Sequence, residues 1–155
     1  MTTQMRFLAL FGFVGLVISL QGQIQRGQML CRGRLDLHPT MSVDLDNGNL
    51  STPLTATSAD IWYEAVNESE SYLTPGNGAQ IAVTSTSPKG FAGCATARYT
   101  SNRVAIATLK PGTYLCVTTQ QGRFTEIEVD GLYAKYPVLE PRVMTVSFAY
   151  STWQN

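Results

Sequence analysis

The sequence predicts an all-β protein, a single antiparallel β-sandwich or partly open barrel behind an N-terminal signal segment. Charged residues make up 14% of the 155, against roughly 25% in an average soluble protein, and eighteen Thr with eleven Ser take much of their place. That composition favours strands over helices. Short alternating runs recur between turn signals, and after the leader no 3.6-residue apolar stripe reaches helical length. The length suits one domain with a self-sufficient core. Formal net charge is zero and no Lys or Arg stripe forms, so nucleic-acid binding lacks its electrostatic footprint.

Residues 1–27 read as a signal peptide or an uncleaved anchor. Arg6 precedes an apolar run of fourteen residues, Phe7 to Leu20. That length suits a signal core and is short of the roughly 18–20 residues a membrane span needs. No clean small-residue cleavage site follows, which keeps the anchor as the alternative. Cys31 lies too far from the apolar run for lipid attachment. Setting aside Arg6 and Arg26 leaves 9 basic and 11 acidic residues. Residues 28–41 have no clear period and are expected as an irregular lead-in, with the β-domain over 42–155.

Within that domain "SVDLDNGN" is a short alternating run ending in the turn pair Asn47-Gly48, and "LSTPLTATS" is a polar linker. "ADIWYEAV" predicts a strand from Ala59 to Val66. Pro75-Gly76 and Asn77-Gly78 signal turns before the strand "QIAVTSTS". A small-residue stretch carries Cys94. "RVAIATL" and "GTYLCVTT" bracket the turn Lys110-Pro111-Gly112, and "RFTEIEV" completes a hairpin. The last run alternates best, with Met144, Val146, Phe148 and Tyr150 on one face and Thr145, Ser147, Ala149 and Ser151 on the other.

The hairpin register decides where Cys116 points. An even loop sets Cys116 opposite Ile127 and Tyr114 opposite Val129. An odd loop sets Cys116 opposite Glu126 and gathers Leu115, Val117, Ile127 and Val129. Both registers make an apolar face, so the pattern leaves both open; a thiol facing the core favours the even loop. In an exported chain cysteines are usually oxidised. Cys94 and Cys116, 22 residues apart with one strand and one turn between them, can reach bonding distance across neighbouring elements. Cys31 is then the odd one, free or paired between molecules.

"SVDLDNG", "ADIWYE…LTPGNGA" and "GTYLCVTTQQGRFTEIEV" together resemble a β-rich domain of secreted proteins from cyanobacteria and other bacteria. Its pattern is Asp-x-Asp-x-Gly, Asp-Ile-Trp, Pro-x-Asn-Gly-Ala, then a cysteine some twenty residues before Gly-Thr-Tyr-x-Cys-Val-x-Thr-x-x-Gly-Arg. The match covers roughly Ser42 to Val129. The resemblance implies an extracytoplasmic fold and supports the Cys94–Cys116 pairing, and it implies nothing catalytic.

Candidate chemistry is sparse. The one histidine, His38, sits in an unpatterned segment before a proline, and no Gly-x-Ser-x-Gly elbow occurs, which argues against acyl transfer. One His and three scattered Cys do not assemble a zinc set. Asp44, Asp46 and Asn49 offer oxygen donors suited to calcium, although the spacing is one residue short of a calcium loop and Asn47-Gly48 suits a tight turn. Asp60, Glu64, Glu68 and Glu70 are the carboxylates available for glycoside hydrolysis. Alternation puts Asp60 and Glu64 on one face with Trp62, a combination resembling a sugar-binding platform, and Ile61, Tyr63 and Ala65 on the core side. Alternatively, Trp62 fills a gap beneath a loop with its indole N–H bonded.

The expected function is a secreted, non-catalytic binding or structural module. Its partner would be a protein or a glycan at the cell surface, with no cofactor and no nucleic acid, and with membrane contact only through an uncleaved N-terminus. A small extracytoplasmic hydrolase and a calcium-dependent adhesion module are the alternatives. The expected location is the periplasm, the cell surface or the medium.

Overall fold

The computed structural model describes residues 25–52, 57–67, 69–134 and 144–155. The apolar run Phe7 to Leu20 and Glu68 lie outside them. Two five-stranded antiparallel sheets face each other without closing into a barrel, which makes the fold a β-sandwich. In chain order the strands are β1 (Met29–Leu37), β2 (Ser42–Asp44), β3 (Asn49–Ser51), β4 (Ile61–Ala65), β5 (Ser71–Pro75), β6 (Gln80–Ser85), β7 (Val104–Ala105), β8 (Tyr114–Thr118), β9 (Phe124–Ala134) and β10 (Met144–Trp153). One sheet runs β1-β10-β9-β8-β6 and the other β3-β2-β4-β5-β7. The one α-helix among the described residues, α1 (Gly90–Ala95), lies on the outer face of the first sheet.

Alternation builds the core. On β10, Val146, Phe148 and Tyr150 point inward and are buried, as the sequence pattern predicts, and Thr152 continues their row. Ile61 and Tyr63 of β4 meet them from the second sheet, with Leu73, Leu115, Val117, Ile127 and Val129 filling the layer. The Tyr63 hydroxyl donates to the Met144 carbonyl at 2.6 Å, which satisfies the one polar atom that this large side chain carries inward.

The expected irregular lead-in is instead β1, nine residues paired along β10. Its inward positions are Cys31, Gly33, Leu35 and Leu37, and glycine at the second of these hides the apolar alternation. Gly33 is there because the Tyr150 ring occupies the space of a side chain: a Cβ would lie 2.9 Å from Tyr150 Cε1. β5 is likewise a strand within a stretch that reads as turns, and "RVAIATL" yields only β7 followed by a 3-10 turn at Ile106–Thr108.

The hairpin takes the odd register. Cys116 is opposite Glu126 and Leu115 is opposite Ile127. The even register expected above is therefore corrected, for a reason that the strand pattern does not contain. The outer face is also dry here: α1 covers it, and Ala82, Cys94, Cys116 and Phe124 form a second small core with Phe91 and Tyr99 against them. Cys116 thus points away from the sandwich interior and is still fully buried. The Cys94–Cys116 disulfide is present, and it fastens α1 to β8.

Candidate functional site

Two groups of polar residues stand out. The first lies on the outer face of the second sheet. Because Ile61 and Tyr63 point inward, Trp62 and Glu64 point outward. The register sets Trp62 between Ser42 and Thr74, and Glu64 beside Tyr72. Arg103, entering β7, lays its guanidinium over the Tyr72 ring at 3.7 Å from the centroid and reaches Glu64 Oε1 at 3.0 Å. The Thr74 hydroxyl donates to Glu64 Oε2 at 2.7 Å. That hydroxyl first, and the Arg103 guanidinium with it, holds the Glu64 carboxyl below its ordinary range. Trp62, Tyr72, Thr74 and Glu64 are half-buried, and the Arg103 side chain keeps 45% of its surface in solvent. The Trp62 indole N–H is buried with no hydrogen-bond partner among the described residues. The sequence reading found Trp62 and Glu64 and missed Tyr72 and Arg103. Tyr72 and Thr74 flanking the inward Leu73 is the alternation that would have located the first.

Asp60 does not belong to that face. It stands just before β4, is fully buried, and accepts from the backbone N–H of Leu45 at 2.8 Å and of Gln120 at 2.7 Å. The expectation that it shares an open platform with Trp62 is corrected: both carboxylate oxygens are committed to the main chain.

The second group gathers around Asp60. Asp44, Asp46 and Asp60 bring carboxylate oxygens within 4.8 Å of one another where the β2–β3 turn meets the tip of the β8–β9 hairpin. Asp44 accepts from the Asp46 N–H at 2.9 Å and the Asn47 side-chain amide at 3.0 Å. Asp46 accepts from the Thr119 hydroxyl at 3.1 Å and pairs with Arg123 at 3.3 Å. Asn49, expected to complete a calcium set with Asp44 and Asp46, is exposed, and its backbone N–H bonds the Asn47 side chain at 2.8 Å. Asp60 takes its place in the cluster, but those donors already engage both oxygens of Asp44 and Asp60 and one oxygen of Asp46. The donor set is thus largely spent on holding loops. Burial pushes Asp60 up to about 6, against the two backbone bonds that favour its ionised form. Burial also raises Asp46, opposed by Thr119 and Arg123.

His38 lies outside both groups, with Nδ1 2.9 Å from the Thr145 hydroxyl. Cys31 is free and half-buried, its thiol 3.3 Å from the Asp46 carbonyl. No protein-family model, curated protein or solved structure matches the chain.

Proposed function

We propose that this protein is a non-catalytic binding module working outside the cytoplasm, and that it engages a glycan or protein at a cell surface through the outer face of its second sheet. The observation that carries this reading is the assembly of Trp62, Tyr72, Arg103 and Glu64 on one half-buried face. Trp, Tyr and Arg are the residue types that dominate recognition hot spots, because each combines a large apolar area with a directed polar group. Glu64 and Arg103 hold each other in place, so the face is preorganised and loses little side-chain entropy when it is covered.

Export is supported by Arg6 with its apolar run, by the resemblance to secreted β-rich domains, and by a disulfide of the kind that persists in oxidising compartments. Among the described residues no helix is long and apolar enough to cross a membrane.

A glycan array probed with the purified protein, repeated with Trp62→Ala, tests the reading. Binding that disappears in the variant while its melting curve stays cooperative supports it. An array on which both proteins behave alike, together with a Trp62→Ala protein that still pulls down every cell-surface partner of the parent, would refute it.

A further inference from the structure

On the first sheet, outside the Trp62 face, β6 and α1 bound an open cleft of about 380 Å³ lined by Ala82, Val83, Thr84, Lys89, Gly93 and Arg98 among others. We infer that this cleft receives an extended acidic peptide segment of a partner protein, added as a strand along the free edge of β6. This goes beyond the binding face proposed above and does not depend on it.

Three observations converge. The first is an available strand edge. Ile81 exchanges both main-chain bonds with Thr100 at 2.9 Å, so Val83, the alternate residue and the last before a bulge towards Ser85, turns its own N–H to the same side. The Val83 side chain is left 59% exposed, the most exposed of the large apolar residues described. An unpaired edge flanked by an apolar side chain is what strand addition uses: main-chain bonds give affinity and alternate side chains give selectivity.

The second is charge. Lys89 and Arg98 both line the cleft and are exposed, neither forms an ion pair among the described residues, and no carboxylate lines it with them. The nearby Glu126 carboxylate is instead turned to the backbone amides of Lys89 and Gly90. Two uncompensated cations beside an open edge select carboxylates on the incoming strand.

The third is rigidity. The Cys94–Cys116 bond fixes α1 against β8, the neighbour of β6, so the two walls keep their separation without a ligand. The volume lies in the range of small binding clefts.

Fluorescence anisotropy with a labelled peptide alternating valine and glutamate tests this on the full chain, with a valine–lysine peptide as the control. The glutamate peptide is expected to bind and the lysine peptide not. The double variant Lys89→Glu/Arg98→Glu should weaken binding on the order of tenfold or more. Val83→Pro removes only an edge N–H, a change edge strands tolerate, and should abolish binding while the melt stays cooperative. Trp62→Ala should bind the peptide like the parent, which separates this site from the other face. Equal binding of the lysine peptide, no saturable binding of the glutamate peptide, or unchanged binding by the charge-reversed variant would overturn the inference.

Discussion

Asp60 shows how a single residue carries both a structural role and a pH dependence. Its carboxylate joins the β2–β3 turn to the hairpin tip, and burial lifts it from an ordinary 3.8 to about 6. The folded state therefore holds this proton more tightly than the unfolded chain does. The contribution is fully present below about pH 4 and is lost as pH rises through about 6, amounting to about 3 kcal/mol for a shift of that size. Urea unfolding across this window should show the parent losing stability relative to Asp60→Asn as pH rises. Parallel curves for the two proteins would contradict the assignment. The sequence placed Asp60 within a strand, Ala59 to Val66, and on one face with Trp62, whereas β4 begins only at Ile61. Burial at a strand entrance depends on two loops distant in sequence, and alternation carries no information about them. Gly48 makes the same point: its φ of +76° and the Tyr150 hydroxyl where a Cβ would go both require glycine, yet the sequence shows only the turn.

Among the elements, the β8–β9 hairpin is the most instructive. Leu115, Val117, Ile127 and Val129 make the inner row, so Ile127→Ala and Leu115→Ala should each cost about 2–5 kcal/mol in chemical denaturation. The strands themselves were legible from Gly112 to Val129, and so were both registers. The choice between them was not, because Cys116 is buried on the outer face by α1, a helix of six residues with no apolar stripe to announce it. The disulfide could be anticipated from compartment and resemblance even though the face assigned to it was wrong. Replacing Cys116 with Ala should destabilise the protein by about 2–5 kcal/mol and free α1 from the sheet, with amide exchange rising first over Gly90–Ala95. Exchange rising first in β10 instead would show that the bond secures the sandwich rather than the helix.

For the molecule as a whole, two sheets enclose one core, and the polar chemistry is distributed between an open face and a closed end. The all-β class was legible from low charge, abundant Thr and regular turns, and β4, β6, β8, β9 and β10 fell where alternation placed them. β1 was not, since Gly33 breaks its inner row. The closed end is built to hold loops: with both oxygens of Asp44 and Asp60 accepting hydrogen bonds and Arg123 on Asp46, melts in calcium and in a chelator should coincide. A saturable native-state site at about 100 times its dissociation constant would add about 2.7 kcal/mol, a shift of several degrees, and Asp44→Ala would remove it.

The open face carries the functional reading, and that reading requires its side chains to be dispensable for folding. Denaturant unfolding of Trp62→Ala beside Ile61→Ala, neighbours on one strand that point to opposite sides, measures this directly. The inward Ile61 is 1% exposed, and its truncation should cost about 2–5 kcal/mol. The outward Trp62 is only half-buried, and its truncation should cost less than that of Ile61, at most about 3 kcal/mol. Equal losses for the two variants would mean that Trp62 is a structural residue and that the outer face is not kept for a ligand.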